Sequence, residues 1–413
     1  MKNKVLTGLL LVLIGGWGSL SAQSAGSNYS RQVNTLIGTK GVGLTSGYLY
    51  PGATYPYGMV QFTPSYFSKR SGFVINQLSG GGCEHMGNFP TFPVKGKLKM
   101  SPDNILNYRI NISEEKGHAG YYEAMVQEDI KAKLTVTERT GMASYEYPAD
   151  QQYGTVIIGG GISATPIEQA AIVITAPNKC EGYAEGGNFC GLRTPYKVYF
   201  VAEFDTDALE SGTWKRNELK PNTTFAEGEY SGVYFTFDVN KKKNIQYKIG
   251  VSYVSVENAR ENLKAENTGW DFLQIQNQAE SKWNHYLGKI EVEGTNPDRT
   301  TQFYTHLYRS FIHPNVCSDV NGEYMGADFK VHKSRSKHYT SFSNWDTYRT
   351  QIQLLSILDP EVVSDIVISH QLFAEEAGGA FPRWVMANIE TGVMQGDPTP
   401  ILLSLIHISE PTR

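Results

Sequence analysis

The sequence predicts a multidomain protein with an N-terminal antiparallel β-sandwich followed by a helical region. Between about Tyr29 and Ala265, short apolar runs alternate with polar residues, and Gly, Asn, Asp and Pro separate them. No helical stretch interrupts these runs, which favours antiparallel sheets over parallel ones. From about Glu266, apolar residues recur at helical spacing instead. The predicted sandwich therefore covers residues 26–265.

The chain starts with a pattern typical of a secretory signal peptide. Lys2 and Lys4 precede a short apolar run at residues 5–14, and small residues fill positions 15–25. A run of this length is too short for a membrane-spanning helix, so residues 1–25 are predicted to be a signal peptide. An uncleaved N-terminal anchor is the alternative. No later window has a long uncharged apolar run, so we expect an exported protein of the periplasm or extracellular space, with no transmembrane segment.

The composition limits the class of ligand. The net charge of -4 and the pI near 6.2 exclude a strongly basic nucleic-acid-binding protein. Only 19% of residues are charged, while 25 are tyrosine and 41 are glycine. This composition suits a strand-rich exported protein that handles neutral polar ligands.

Seven alternating runs carry the strand prediction of the sandwich. They are bounded by turn residues, as expected for short antiparallel strands. The runs are AMVQ, KLTVTE, GTVIIGG, AAIVITA, KVYFVAEF, GVYFTFDV and IQYKIGVSYVSV.

The four cysteines permit one short-loop disulfide. Cys180 and Cys190 flank EGYAEGGNF, which is typical of a hairpin tip. In an oxidising compartment these two residues are predicted to pair, with two free thiols as the alternative. Cys83 and Cys317 lie far apart in sequence, and no Cys-x-x-Cys motif occurs, which argues against a zinc site.

The second half shows apolar stripes that indicate the core faces of helices. Pro360 follows Asp359, which is a good helix start. The stripes are Phe272–Gln276–Ala279–Trp283–Leu287, Phe303–Leu307–Phe311, Trp345–Tyr348–Ile352–Leu355 and Val363–Ile366–Val367–His370.

The stretch from Tyr339 to Gly396 carries the most chemistry. Trp345 and Asp346 are adjacent, Arg349 follows, and Trp384 and Asp397 come later among glycines and prolines. A flat aromatic face beside a carboxylate and a guanidinium is what a sugar-binding pocket needs, because ring faces stack on sugar CH groups while charged groups bond hydroxyls.

The last residues differ in kind. Residues 403–413, LSLIHISEPTR after Leu402, look like one reading frame of a widely used sequencing adapter. We expect them to be an artefactual tail, with the genuine sequence breaking off near Ile401 or Leu402. A natural C-terminal tail is the alternative.

The chain resembles glycoside hydrolase family 92, secreted exo-acting α-mannosidases. The resemblance rests on motifs in the family's order and covers the chain between the signal peptide and the tail. These motifs are NTLIGT (34–39), YPGATYPYGMVQFTP (50–64), GGGCEHMGNFP (80–90), HLYRSFIHPN (306–315), YTSFSNWDTYR (339–349) and AFPRWVMANIETGVMQGDP (380–398).

The resemblance implies an architecture and a reaction. After the sandwich, it implies a helical linker at residues 266–298 and the first part of an (α/α)6 barrel at residues 299–402. It implies removal of terminal α-linked mannose from glycans, with calcium and with inversion. In the family the acid, the base and most calcium ligands lie later in the barrel. No catalytic residue or metal ligand is therefore named here, and this truncated chain is expected to aggregate or to be inactive.

The resemblance also implies a mannose-binding shell in the helical part. Asp346 matches the carboxylate that accepts hydrogen bonds from sugar hydroxyls, and Trp345 stands beside it. Arg349 is expected on the same helix face, either contacting ligand or bridging to Asp346. Trp384, ahead of a helix-like run, is a platform or a core residue. Asp397 is a candidate substrate contact.

The sandwich is expected to contribute the loop at residues 80–85. Its glycines permit close approach to a ligand, Cys83 offers backbone groups, and His85 is its polar tip. A histidine satisfied by backbone groups is the alternative for His85. Two other functions stay open for the whole chain: a non-catalytic β-sandwich carbohydrate-binding protein, which has no use for the helical segment, and a structural cell-surface protein.

Overall fold

A computed structural model of the protein describes residues 28–40, 47–65, 72–103 and 111–409. The predicted signal peptide lies outside these residues, as do positions 410–413 of the predicted tail. In the described part, no helix has the length and apolar character needed to cross a membrane.

Two antiparallel sheets form the N-terminal part, as predicted. The eight-stranded sheet contains, in spatial order, β1 (Ala53–Thr54), β2 (Gln61–Pro64), β3 (Phe73–Val74), β4 (Thr91–Lys95), β9 (Tyr153–Ile158), β16 (Ser231–Asp238), β13 (Glu210–Lys215) and β14 (Glu218–Pro221). The nine-stranded sheet contains β15 (Phe225–Glu227), β10 (Ile167–Ala176), β11 (Lys179–Phe189), β12 (Leu192–Phe204), β17 (Asn244–Ser252), β8 (Thr140–Glu146), β7 (Ile130–Val136), β6 (Tyr121–Val126) and β5 (Ile112–His118).

The two sheets share one apolar core. Phe204 of β12 lies 4.9 Å from Phe235 and 5.1 Å from Phe237 of β16, measured between ring centroids. Inward and outward residues alternate along β10 and β12, which is the period of a strand with one face on a core.

The predicted pairing of Cys180 with Cys190 is wrong. The segment between them is strand β11, in which Cys180 pairs with Ala202 near one end and Phe189 closes the other. A strand rises about 3.3 Å per residue, so the two cysteines are about 30 Å apart, far beyond the reach of a disulfide. Cys180 is a buried free thiol, and Cys190 bonds to Cys83 instead.

Helices follow the sandwich, and side-chain caps start several of them. Ser255, Asp271 and Asn296 each accept a hydrogen bond from a backbone N–H in the following turn. The helices are α1 (Val256–Glu266), α2 (Phe272–Leu287), α3 (Pro297–Ser310), α4 (Asn344–Thr347), α5 (Gln351–Leu358), α6 (Pro360–Glu376) and α7 (Thr399–Ser409).

Helical structure starts at Val256, ahead of the change predicted near Glu266. The prediction was late because it did not recognise α1. Three two-stranded sheets lie between the later helices. They pair β18 (Asn315–Val316) with β21 (Tyr339–Thr340), β19 (Glu323–Met325) with β20 (Val331–Lys333), and β22 (Val385–Met386) with β23 (Ile389–Glu390).

The predicted apolar stripe from Trp345 to Leu355 is broken. Helix α4 ends at Thr347 and α5 begins at Gln351, so the stripe does not lie on one helix. Ile352 and Leu355 are buried as predicted, but Trp345 is 45% exposed. The run after Trp384 is a tight hairpin rather than the helix expected from its composition.

The helical part packs firmly on the sandwich. Tyr57 meets Tyr286 and Phe311 edge to face, with ring centroids 5.7 and 6.0 Å apart. Arg139 of the sandwich donates from Nε to the carbonyl of Ser318 and lies 2.7 Å from Glu266. These contacts join the two parts into one unit.

Candidate functional site

A cavity of about 590 Å³ lies where the sandwich meets the helices. The sandwich contributes the loop at residues 78–83, hereafter the glycine loop, together with the hairpin tip at Phe189 and Cys190. The helical part contributes Arg309, His313, Pro314, Ser341, Phe342, Ser343, Asn344, Asp346, Thr347, Gln351, Ile352, Leu355, Ile366, His370, Trp384, Met394 and Leu402.

Two histidines from different parts of the chain hold the glycine loop. His85 Nε2 accepts the N–H of Leu78 at 2.9 Å, and its Nδ1 lies 2.7 Å from the Cys83 carbonyl. His313, which follows α3, accepts the next N–H, that of Ser79, at 2.8 Å. Its Nδ1 lies 2.7 Å from Asn315 Oδ1. Successive backbone N–H groups of one loop therefore bond to imidazoles from both parts of the protein.

The predicted role of His85 as the polar tip of the loop needs correction. Its side chain is 1% exposed and does not line the cavity. Burial lowers the pKa of His85 from 6.5 to about 4, so the ring is neutral at physiological pH. A neutral ring with Nδ1–H donated to Cys83 leaves Nε2 free to accept Leu78 N–H, and His85 supports the loop from below.

The Cys83–Cys190 disulfide ties the glycine loop to the β11–β12 hairpin. Both sulfur-bearing residues line the cavity, so the covalent bond fixes its wall on the sandwich side. The sequence analysis predicted that Cys83 offers backbone groups and did not predict its disulfide, because nothing in the spacing of the cysteines identified Cys190 as the partner.

We expect peptide mapping to recover this linkage. Digestion of the non-reduced protein should release a peptide pair joined through Cys83 and Cys190, because their Cα atoms are 5.2 Å apart. Cys180 and Cys317 are buried and should react with an alkylating reagent only after unfolding. Recovery of a Cys180–Cys190 pair by mass spectrometry would contradict the structure.

Asp346 enters the cavity from α4, as its predicted role requires. The helix is a single turn between Ser343 and Tyr348, and the Ser343 hydroxyl donates to one carboxylate oxygen of Asp346. The carboxylate is exposed to the cavity and to solvent. It retains acceptor sites for ligand hydroxyl groups, since each carboxylate oxygen accepts more than one hydrogen bond.

The other predicted residues divide into one inside the cavity and three outside. Trp384 lines the cavity, is 6% exposed, and packs on Phe189 with ring centroids 4.5 Å apart. Trp345, Arg349 and Asp397 are exposed and do not line it. Arg349 donates to the hydroxyl of its neighbour Tyr348, so the alternative salt bridge to Asp346 is absent from the described contacts.

Several lining residues were not predicted as site residues. Arg309 and His313 lie in the HLYRSFIHPN motif, which was quoted for the resemblance but given no role. The Arg309 guanidinium donates to the carbonyls of Thr35 and Tyr50 and so joins α3 to the sandwich. His370 of α6 also lines the cavity but is fully buried, and this burial lowers its pKa to about 4. The polar residues clustered in HLYRSFIHPN were the signal that could have identified Arg309 and His313 as site residues.

The cavity does not offer a calcium ligand set among the described residues. Calcium takes six to eight oxygen ligands, typically with several carboxylates. Asp346 is the one carboxylate among the residues that line this cavity in the described part. A separate group, Asp328, His332 and Glu376, could hold a cation, but it lies in another depression and includes an imidazole, a ligand of softer metals.

Two family models match the chain. The model described as the glycosyl hydrolase family 92 N-terminal domain matches residues 32–252, and that described as the glycosyl hydrolase family 92 catalytic domain matches residues 258–408. Together they cover both parts of the fold, and the second match begins within the first turn of α1.

Relatives agree with the family models. An uncharacterized secreted glycosidase of Arthroderma benhamiae is 26% identical over 363 residues, covering 78% of this chain and 45% of the relative. A family GH92 α-mannosidase of Bacteroides thetaiotaomicron superposes with a TM-score of 0.84 at 25% identity, covering 93% of this chain and 54% of the other. A family GH92 inverting mannosidase of the same species gives 0.81 at 26% identity, covering 91% and 52%. The chain spans about half the length of these relatives.

Proposed function

Because this chain belongs to glycoside hydrolase family 92, we propose that its cavity binds the terminal mannose of an α-mannoside. The observation that carries the proposal is that Asp346 and the glycine loop line the same cavity from opposite sides of the junction. A cavity of about 590 Å³ lies within the usual range for small-molecule sites. The solved relatives are described as mannosidases, which supports mannose as the sugar.

The lining suits a sugar ring held by one edge. The Asp346 carboxylate accepts hydrogen bonds from neighbouring sugar hydroxyls. Phe342 and Trp384 supply aromatic surface on the helical side, and the glycine loop brings backbone groups close from the sandwich side. Because Asp346 has one oxygen bonded to Ser343, its orientation is set before ligand arrives.

We assign Asp346 to binding and not to catalysis. Glycoside hydrolysis with inversion needs an acid and a base on two carboxyl groups, about 6.5–9.5 Å apart. Asp346 is the single carboxylate among the described lining residues. We propose that the acid, the base and the calcium ligands belong to the part of the family enzymes that this chain does not match, and that the parent protein is a calcium-dependent inverting α-mannosidase.

Binding of methyl α-D-mannopyranoside, followed by NMR titration, tests this function. Asp346→Asn is expected to weaken binding about tenfold or more, since a hydrogen bond to a charged group contributes about 1.5–3 kcal/mol. Asp150→Asn, at an exposed turn of the sandwich, is the matched control and should bind like wild type. Equal affinity of the Asp346→Asn variant and the wild type would overturn the assignment.

An assay of mannose release separates binding from hydrolysis. We expect the 413-residue chain to release no mannose from α-mannosides, with or without calcium, because Asp346 is the one carboxylate among the described residues that line the cavity. Measured release of mannose by this chain would show that the acid and base lie within it.

We also propose that the protein is exported. The Cys83–Cys190 disulfide suits an oxidising compartment, and the first residues have the pattern of a signal peptide. One relative is described as secreted, which is consistent with this location. The alternative of a non-catalytic β-sandwich binding protein is less well supported, because residues of the helical part form most of the cavity wall.

A further inference from the structure

The outer face of the nine-stranded sheet has a second depression, remote in sequence from the cavity residues on the helical side. Helix α1 lies on this face over β12 and β17, where its Ala259 and Leu263 pack on Val201. A groove of about 440 Å³ lies beside the start of α1, with β10 and β11 as its floor, and we call it the outer-sheet groove.

The strand register places aromatic rings along this groove. Tyr183 of β11 is directly opposite Tyr199 of β12, and their ring centroids are 6.0 Å apart. Phe225 of the edge strand β15 is opposite Val173 and is 53% exposed. The floor between them is small, since Ala171 and Gly182 contribute almost no side chain. Alternation along these strands therefore leaves three rings facing outward.

Two ion pairs lie around the groove. Glu181 pairs with Arg260 of α1 at 2.8 Å, and Lys197 pairs with Glu185 at 3.5 Å. The Lys197 ammonium also lies 4.2 Å from the centre of the Tyr183 ring. Glu257 of α1 also lines the groove, and its carboxylate makes no ion pair in the described contacts, which disfavours an anionic ligand.

We propose that the outer-sheet groove binds a neutral oligosaccharide, as a second contact for the glycan whose terminal sugar enters the cavity. The proposal rests on the proposed function for the identity of the glycan. The exposed ring of Phe225 and the half-buried rings of Tyr183 and Tyr199 offer apolar surface to sugar CH groups, and tyrosine hydroxyls and paired charges at the rim offer hydrogen bonds. The groove volume of about 440 Å³ is in the usual range of small-molecule sites.

Binding of soluble α-mannan, measured by affinity gel electrophoresis with dextran as comparison, tests the proposal. The double variant Tyr183→Ala/Tyr199→Ala is expected to bind mannan about tenfold more weakly or worse, as for loss of aromatic anchors in other sites. Its affinity for methyl α-D-mannopyranoside should be unchanged. Tyr153→Ala is the matched control, because that tyrosine also has a lysine, Lys97, over its ring, at 4.6 Å, on the other sheet.

Phe225→Ala provides a second variant on an exposed edge strand, so its fold should persist and its mannan affinity should fall. Unchanged mannan affinity in the double variant and in Phe225→Ala overturns the proposal, as does a wild-type chain that does not bind mannan. A wild-type dimer that these substitutions convert to a monomer, seen by sedimentation, also overturns it in favour of a protein interface. If the wild-type chain binds mannan through these tyrosines but does not bind methyl α-D-mannopyranoside, the result refutes only the assignment of the cavity.

Discussion

Acidification from pH 7 to pH 4.5 is expected to destabilise the protein steeply, and His85 and His313 contribute to this together with buried His338 and His370. Burial lowers the pKa of the His85 and His313 rings to about 4 from an ordinary value near 6.5. Between these two values the unfolded chain binds a proton at each histidine and the folded chain does not. The stability that these two neutral rings contribute is therefore fully present above pH 6.5 and is lost as the pH falls towards 4, by about 1.4 kcal/mol per pH unit for each ring.

The geometry explains why the folded state resists protonation. In both rings Nδ1 donates to an oxygen and Nε2 accepts a backbone N–H from the glycine loop. A proton on Nε2 would face the N–H of Leu78 or Ser79 and would remove the bond that holds the loop. Acid is thus expected to release the glycine loop as well as to lower the free energy of unfolding.

Urea unfolding measured across this pH range checks the prediction. His313→Gln removes one titrating ring, so its stability should fall less steeply, by about one proton's share of the slope. His285→Gln, at an exposed position of α2, is the control and should keep the wild-type slope. The comparison of slopes is the useful quantity, because desolvation raises the pKa of buried Asp319 and of half-buried Asp365, and both act in the opposite sense. Identical slopes for His313→Gln and wild type would contradict this account.

Replacing Arg139 with methionine is expected to lower the free energy of unfolding by about 3–5 kcal/mol, the usual cost of removing one partner from a buried ion pair. The guanidinium lies 2.6 Å from Glu138 and 2.7 Å from Glu266, and its side chain is 8% exposed. Its Nε also satisfies the Ser318 carbonyl. Methionine fills the space but leaves two carboxylates and a carbonyl without this donor.

Chemical denaturation of the Arg139→Met variant at pH 7 gives the measurement. Arg193→Met is a matched control, because Arg193 makes a similarly short contact of 2.6 Å to Glu168 but both side chains are exposed. Exposed ion pairs contribute little, so this control should unfold almost like the wild type. A loss of stability for Arg139→Met no larger than that of the control would show that the buried network is not needed.

The sandwich was predictable because its strands alternate and its turns contain the usual residues. The pairing of strands and of cysteines within the sandwich was harder to predict. Gly186 and Gly187 suggested a hairpin tip, yet they form a bulge within β11, where a side chain on either glycine would meet a backbone oxygen of a neighbouring strand. Because a bulge and a turn both require glycine, composition alone did not distinguish them, and the wrong disulfide followed.

The site was predicted in outline and not in detail. Asp346 and the glycine loop do meet at one cavity, since the family's motif order already linked them. Trp345 was expected in the site because it is adjacent to Asp346, yet its side chain does not line the cavity. Arg349 was expected on the same helix face as Asp346, but α4 ends at Thr347, so the two residues do not share a helix. His313 binds a backbone N–H that is 234 residues away, and His85 binds backbone groups two and seven residues away in its own loop. Neither contact leaves a periodic pattern in the sequence.

The dual support of the glycine loop has a consequence for engineering. Its N–H groups depend on imidazoles from two halves of the chain, and its cystine depends on a third element, the β11–β12 hairpin. A chimera that joined this sandwich to a helical half without a histidine at the position of His313 would lose the acceptor of the Ser79 N–H. Exchange of recognition properties between such proteins therefore requires that the loop, the hairpin tip and the residue after α3 are transferred together.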